Sequence, residues 1–455
     1  PLLYNACTSK RALKMRILHT SDWHLGQHFI SKSRAAEHQA FIDWLLAQVS
    51  EQNIDAVIIA GDVFDTGTPP SYARKLYNYF VVEMSKLSCQ LIVLGGNHDS
   101  VSTLDESKGL LAYLNTHVIA NVQADLSEQI FVLNDKQGEA AAILCAIPFI
   151  RPRDVVSSQA GESGTDKQQA LTQAIADHYQ SLYDLAIKKR DEFEQPLPII
   201  ATGHLTAMGV KTSESVRDIY IGTLEAFPAS AFPPADYIAL GHIHRPQVVA
   251  KSEHIRYCGS PIPLSFDELG NQKQVIIADF AEGKLTSVKP LPIPRFQPMQ
   301  VIKGNLASIQ QQLVELDSAT NSVPSGTQTT LSIIPDIEED TDDNDTDTST
   351  DKPLPTWLCI EVDTSDYLDD LQQRIQEMTA DLNVEVLQLR RARDTKRIRL
   401  EQQEKETLAE LTVDDVFERR LALESFEGNI EEQRRSRILN DFRQIAEEVN
   451  TGDQS

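Results

Sequence analysis

Apolar runs of about four to eight residues, rich in β-branched side chains, recur from Met15 to about Phe280 and end in polar, often Gly-containing turns. They are Met15–Thr20, Asp55–Ala60, Gln90–Leu94, Ile143–Ile147, Leu197–Ala201, Asp236–Leu240 and Gln274–Ala278. Runs of this kind predict strands buried on both faces. Between them the pattern predicts helices over Arg34–Gln52, Ser71–Lys86 and Lys167–Arg190. Strands alternating with helices predict an α/β domain with central sheets, whose functional loops lie beyond the carboxyl ends of the strands.

The pattern then changes. Residues Lys284 to Gln297 are Pro-rich and read as extended, leading into a smaller α+β module. Its expected elements are a strand over Met299–Lys303, a helix over Leu306–Leu316, a strand over Trp357–Val362, a helix over Asp366–Thr379 and a strand over Val384–Leu389. An insert from Ala319 to Pro355 interrupts it, with Asp336, Glu338, Glu339, Asp340, Asp342, Asp343, Asp345, Asp347 and Asp351 set among Thr, Ser and Asn. Like charges with few apolar neighbours predict a disordered loop. After Asp394 the chain reads as charged and helical to about Asn450, with Thr412 and Asp415 opening a helix as a capping box and Gly428 dividing two helices. Such a tail has too little core to stand alone and is expected to dock either on its own domain or on a partner surface. The expected organisation is a disordered extension over 1–14, with Met15 as the natural start, an α/β domain over 15–283, the smaller module over 284–318 and 356–395, the acidic insert over 319–355, and C-terminal helices over 396–450.

Composition narrows the class. At 455 residues the chain is too long for one ordinary core. No run approaches the ~18 apolar residues that span a bilayer, and residues 1–14 carry no apolar signal region. The five cysteines are scattered and odd in number, without a Cys-x-x-Cys pair, which argues against a disulfide framework or a zinc finger. A reducing cytoplasm is expected. No Gly-x-x-x-x-Gly-Lys-Ser/Thr run is present, so no ATP site of that kind is expected in this chain. The net charge of −25 opposes tight binding of a phosphate backbone unless bound cations or a partner supply positive charge.

Five short segments, each following an expected strand, carry metal-ligating residue types: Asp22-Trp23-His24, Gly61-Asp62-Val63-Phe64-Asp65, Gly96-Asn97-His98-Asp99, Gly203-His204 and Gly241-His242-Ile243-His244. One Gly-His pair is common by chance, and a lone histidine is more often a satisfied core residue; the ordered set is the signal. Two divalent cations about 3.5–4 Å apart can clamp the attacking and leaving oxygens of a phosphate ester. They need a bridging carboxylate, for which Asp62 is the candidate. Asp22, His24 and His244 would complete one site; Asn97, His204 and His242 would complete the other. Mixed imidazole, carboxylate and amide donors suit manganese, iron or zinc better than calcium or magnesium alone. His98 is left to protonate the leaving oxygen or to stabilise charge on the phosphate. Its expected orienting partner is Asp65, with Asp99 as the alternative; either could instead be a turn-forming carboxylate.

These segments resemble the motif set of the calcineurin-like metallophosphoesterase superfamily. The stretches Leu18–Gly26, Gly61–Ser71 and Val416–Leu421 further resemble the SbcD family of bacterial nuclease subunits, the similarity running from Met15 to about Arg420 with the acidic insert outside it. The resemblance implies a four-layer α/β/β/α sandwich with a small capping domain that presents DNA to the metals. It implies manganese-dependent exonuclease and hairpin or single-strand endonuclease activity in DNA repair, replication and recombination. It also implies docking of the C-terminal helices on an SbcC-like coiled-coil ATPase, and a homodimer within a heterotetramer. The rival readings are another two-metal phosphoesterase, acting on cyclic nucleotides, nucleotides or phosphoproteins, and a scaffold that kept the fold without the activity.

Overall fold

The computed structural model describes residues 14–156, 164–216, 226–322, 354–363 and 370–391. The chain begins with β1 (Lys14–Thr20), a small hairpin of β2 (His28–Phe29) and β3 (Lys32–Ser33), α1 (Ala35–Glu51), β4 (Ala56–Ile59), α2 (Ser71–Lys86), β5 (Gln90–Leu94), the short helices α3 (Val101–Asp105) and α4 (Lys108–Ala112), and β6 (Thr116–Ile119). It continues with β7 (Ile130–Asn134), β8 (Ala140–Cys145), α5 (Pro152–Val155), α6 (Gly164–Arg190), β9 (Ile199–His204), β10 (Tyr237–Gly241), β11 (Gln247–Val249) and β12 (Ser252–Tyr257). The hairpin of β13 (Gln274–Ala281) and β14 (Lys284–Pro292) then returns to the first half.

Two six-stranded sheets result, in the orders β14-β13-β1-β4-β5-β6 and β11-β12-β10-β9-β8-β7. The two-residue side-chain period of a strand explains how they stack. Ile17, Ala56, Ile58, Ile92 and Leu94 of the first sheet share a buried layer with Ala142, Leu144, Ile200, Tyr237 and Ala239 of the second. The alternate residues Leu18, Val57, Ile59, Leu91 and Val93 pack with Phe41 and Leu45 of α1 and Phe80 of α2. On the far side, Ile143, Ile199, Ile238 and Leu240 pack with Ile175, Tyr179 and Leu182 of α6. The larger domain is therefore a four-layer α/β/β/α sandwich, as the resemblance implies, and the alternating pattern fits its two central sheets. One polar clasp crosses its central layer: His19 lies 3.0 Å from the Tyr237 hydroxyl through Nδ1 and 3.2 Å from the Leu240 carbonyl through Nε2. Burial pushes this imidazole down to about 3, so it is neutral there, with one donor and one acceptor to match its two partners.

The smaller module comprises β15 (Met299–Gly304), α7 (Leu306–Ser322), β16 (Thr356–Val362), α8 (Leu371–Thr379) and β17 (Val384–Arg391), with the sheet order β15-β16-β17. One face of this sheet buries Ile302, Leu358 and Ile360 against Ile309 and Leu313 of α7 and Leu371 and Ile375 of α8. The other places Met299, Trp357 and Cys359 against Phe29 and Phe266 of the larger domain. Trp357 stacks on Phe29 at 5.6 Å, and Lys32 meets Glu385 at 2.9 Å.

Three expectations change at their edges. Lys284–Pro292, expected as an extended lead into the smaller module, pairs antiparallel with β13 along its length, so the first sheet runs past the boundary drawn at 283. Its prolines, Pro290 and Pro292, argue against a central strand, yet an edge strand tolerates them because one side of its backbone needs no ladder partner. Lys14 is the first residue of β1 rather than part of an extension. Helix α7 continues to Ser322, past the expected start of the acidic insert. The insert between 323 and 353, residues 1–13 and the expected C-terminal helices over 396–450 lie outside the described residues. No helix among the described residues is long and apolar enough to cross a membrane.

Candidate metal centre

The strands that precede the five segments are neighbours. β1, β4 and β5 run parallel and adjacent in the first sheet, and β9 and β10 do so in the second. Parallel neighbours end on the same side, so the segments converge at the carboxyl ends of both sheets. The loops after β1 and β4 stay paired: the Asp22 amide donates to the Gly61 carbonyl (3.0 Å) and the His24 amide to the Asp62 carbonyl (3.1 Å). Asp22, His24, Asp62 and His242 all have positive φ, at 54°, 47°, 51° and 90°. Each such residue costs about 1–3 kcal/mol and persists only where its surroundings over-determine it. Here they do: the His242 amide donates to Asp22 Oδ1 and the His98 amide to Asp62 Oδ1, both at 2.9 Å. The glycines of the motifs have a steric cause. A Cβ on Gly61, itself at φ +94°, would lie 2.3 Å from His204 Nδ1, and one on Gly96 would lie 2.1 Å from Asp62 Oδ1.

The side chains form one cluster. His204 Nε2 lies 3.3 Å from Asp62 Oδ2 and 2.9 Å from Asn97 Oδ1, while its Nδ1 donates to the Ala60 carbonyl at 2.9 Å. His242 Nδ1 lies 3.1 Å from the same Asn97 oxygen. His24 Nε2 is 3.7 Å from Asp62 Oδ2, and its ring meets those of His98 and His244 at centroid distances of 4.7 and 5.1 Å. Three sets have potential ligand atoms within 4.8 Å of one another: Asp22, His24 and His244; His24, Asp62 and His98; and Asp62, His204 and His242. His24 Nε2 and His242 Nε2 are buried with no hydrogen-bond partner among the described residues. Stranded buried nitrogens of this kind are costly, and a cation satisfies them. The donor types and their grouping suit a pair of divalent cations.

Electrostatics follow from the crowding. Burial opposes charge on Asp62, but His204, His24 and His98 outweigh it and hold the carboxyl well below its ordinary range. Burial likewise opposes protonation of His204, yet the Asp62 charge and hydrogen bond, with Asp22 and the Ala60 carbonyl, raise it to about 9. His24 is raised in the same way, against its burial, by Asp65, Asp62 and Asp22. Burial, with His204 close by, pushes His242 well below the usual imidazole range.

All nine residues singled out in the sequence meet here, with two changes of detail. Asp65 meets His98 through its backbone, whose carbonyl takes the His98 Nδ1–H at 2.7 Å; its carboxylate lies 3.1 Å from His24 Nδ1. Asp99, the alternative partner of His98, instead accepts the backbone amides of Val63, Phe64 and Gly96 at 3.2, 2.9 and 2.9 Å. It staples the loops after β4 and β5 together, and burial beside Asp62 raises it to about 6. Three residues behind His244 escaped the sequence reading. Its Nδ1 lies 2.6 Å from Ser215 Oγ and 3.4 Å from the fully buried Glu268, which pairs with buried Lys273 at 2.6 Å. Glu268 sits in a short turn with no motif around it, so no signal in the chain marks it.

A two-sheet sandwich with aspartates, histidines and an asparagine gathered at its shared strand ends defines a calcineurin-like phosphoesterase. The family model of that description matches residues 15–246. A second, described as the type 5 capsule protein repressor C-terminal domain, matches residues 295–425. The chain is 54% identical to SbcD of the nuclease SbcCD from Escherichia coli (strain K12), over 91% of this chain and 94% of that protein. It is 35% identical to SbcD of Rhodobacter capsulatus, over 63% of this chain and 71% of the relative. The Bacillus subtilis SbcD is 34% identical, over 61% and 71%. The chain belongs to the SbcD family of nuclease subunits, and it is a hydrolase.

Proposed function

We propose that this chain is the DNA-cleaving subunit of a two-protein nuclease, working in the cytoplasm with two divalent cations, manganese by preference, and with an SbcC-like coiled-coil ATPase. The observation that carries the reading is the meeting of carboxylate, imidazole and amide donors from both sheets within one buried cluster. Asp22, His24 and His244 would hold one cation, and Asn97, His204 and His242 the other. Asp62, whose Oδ2 lies 3.7 Å from His24 Nε2 and 3.3 Å from His204 Nε2, would be held in common by both cations. When bound, the pair supplies Lewis acidity toward the phosphate and acidifies water at the site. The chain supplies the rest. His98, its Nδ1 tied to the Asp65 carbonyl, gives a proton from Nε2 to the leaving oxygen. The Asp65 carboxylate holds the His24 ring in place, and Ser215 and Glu268 hold that of His244.

The smaller module acts as a capping domain that presents DNA, and the C-terminal helices dock on the ATPase, which brings the ATP dependence; this chain carries no Gly-x-x-x-x-Gly-Lys-Ser/Thr run. Leu110 on α4 and Tyr113 just beyond it are 66% and 90% exposed, and they suit the pairing of two copies within a heterotetramer. The test compares manganese-dependent cleavage of a labelled hairpin duplex with that of cyclic mononucleotides. Hairpin cleavage is expected; brisk turnover of the mononucleotide with intact DNA would reverse the reading.

A further inference from the structure

A sixth strand end reaches the centre without contributing a ligand. The segment after β8, Phe149-Ile150-Arg151, runs beside the loop after β5, where the Phe149 amide donates to the Gly95 carbonyl at 2.8 Å. The Phe149 ring packs edge-on to His204 at 6.3 Å. Its face carries the Arg151 guanidinium, 5.5 Å from the ring centroid. Arg151 Nη2 donates to the Asp99 carbonyl at 3.3 Å, one residue from His98. Nη1 is buried and has no acceptor among the described residues. A guanidinium is thus half-anchored beside a cluster whose other members are acidic, neutral or imidazole, with the two N–H groups of Nη1 left over.

We propose that Arg151 holds a non-bridging phosphate oxygen of the DNA backbone on the Asn97–His204 side of the centre. This rests on the phosphodiesterase reading above. The residue type fits. Arginine cannot lose its charge, its fork matches phosphate oxygens, and it desolvates more readily than lysine. The unpartnered Nη1 asks for an acceptor, and a phosphate oxygen gives a short, charge-assisted bond. In a chain of net charge −25, a cation at this position also does locally what the overall charge opposes. Arg153, two residues on, has a side chain 79% exposed and lies 3.8 Å from Asp154, so it is not built into the rim in the same way.

The test uses manganese and single-stranded oligonucleotides, each carrying one neutral methylphosphonate linkage at a different position near the cut. For the wild-type protein, KM should rise about tenfold at one position, the value of one lost charge-assisted bond. Arg151→Ala should raise KM about as much on the unmodified strand, leave kcat near wild type, and show no further loss at that position. Arg151→Lys, which keeps the charge but not the fork, should fall between the two. Manganese content by mass spectrometry should stay at the wild-type value in both variants, and the melting temperature of Arg151→Ala should fall only slightly, with the Asp99 and Phe149 contacts it removes. A role confined to pinning the Asp99 carbonyl and covering Phe149 would lower kcat and melting temperature on every substrate and leave the methylphosphonate profile unchanged. That result, in either variant, overturns the proposal. If wild type fails to cut the unmodified strand, the phosphodiesterase reading fails first and the assignment of Arg151 falls with it.

Discussion

Replacing Glu268 by alanine tests whether the charge buried behind His244 serves the fold, the site or both. The Glu268 and Lys273 side chains are 1% and 6% exposed and meet at 2.6 Å. Lys273 also donates to Ser260 Oγ at 2.6 Å and to the His244 carbonyl at 3.0 Å, and Glu268 accepts the Leu264 amide at 3.0 Å. Burial opposes the charge on Glu268, yet Lys273 and His244 keep it well below the ordinary glutamate range, so the pair is ionised. Removing one member strands the other, which costs about 3–5 kcal/mol. Removing both, in Glu268→Met with Lys273→Met, abolishes the stranded charge. The double variant leaves the Leu264 amide without its acceptor, while the His244 carbonyl keeps the Ser260 amide at 3.2 Å and the hydroxyls of Ser213, Ser215 and Ser260 keep other partners, a cost of about 1–3 kcal/mol. It should therefore be more stable than Glu268→Ala, although it carries one more substitution. Urea unfolding at pH 7.5 with chelator present measures this. Manganese affinity should behave differently: about 10- to 100-fold weaker in both variants, because in each His244 lacks the carboxylate that orients it. Calorimetric titration with manganese reads the second effect. A double variant no more stable than the single one would refute the buried-pair reasoning, and wild-type manganese affinity in both would refute the orienting role.

Four further outcomes are expected. His98→Ala should abolish cleavage while manganese content, read by mass spectrometry, stays at the wild-type level; surviving cleavage would remove His98 from proton transfer. Gly61→Ala places a Cβ 2.3 Å from His204 Nδ1 at a positive φ, so it should lower stability by about 1–3 kcal/mol or more and leave one of two manganese ions weakly bound, which metal analysis would show. In chelator-treated protein His204 is raised from 6.5 to about 9, so its contribution to stability is full below pH 6.5 and is lost as pH rises through 9. The melting temperature of that protein should fall across this window, and the fall should shrink once manganese holds the imidazole neutral. Ending the chain after Lys396 should remove binding of the ATPase and keep manganese-dependent hydrolysis of small phosphodiesters, and a pull-down that still retains the ATPase would reject the docking role.

The site was legible because its chemistry is written in short segments. Asp22, His24, Asp62, Asn97, His204, His242 and His244 each lie at or within four residues of a strand end, where motif and pattern reinforce each other. The strands that carry them were legible for the same reason: a strand between two layers, such as β4 or β5, must be apolar on both faces. Legibility failed where a residue's role depends on partners distant in the chain. Glu268 reaches His244 across a turn, and Arg151 is aimed by Phe149 and the Asp99 carbonyl; neither relation leaves a local pattern. The β14 edge strand was missed because edge position suspends the rules that a central strand obeys: prolines are tolerated, and one face can stay polar. The roles of Asp65 and Asp99 were mixed for a related reason. Both were candidate orienting carboxylates for His98, and only the geometry separates the one beside His24 from the one that staples backbone amides.

The centre draws its donors from two sheets, so its geometry depends on the register between them. A one-residue slip of a strand displaces its end by about 3.3 Å. That equals the His204–Asp62 separation and would split the cluster. Three contacts hold the register where it matters. His19 joins Tyr237 and Leu240 through the central layer, His204 Nδ1 joins the Ala60 carbonyl at the strand ends, and the His242 amide joins Asp22 Oδ1 above them. Two of the three involve candidate ligands, so the bonds that align the sheets also set the rings. This is why four residues of the centre can be held at positive φ: each strained backbone is tied to the opposite loop or the opposite sheet. Strain held this way keeps the donors in place before substrate arrives, which is the condition under which fixed charges act on a reacting phosphate without reorganising. The smaller module is seated on the same frame by a buried cluster, with Met299, Trp357 and Cys359 against Phe29 and Phe266. One aromatic stack and an ion pair with 40% and 35% exposed side chains are among the contacts that join it to the β2–β3 hairpin.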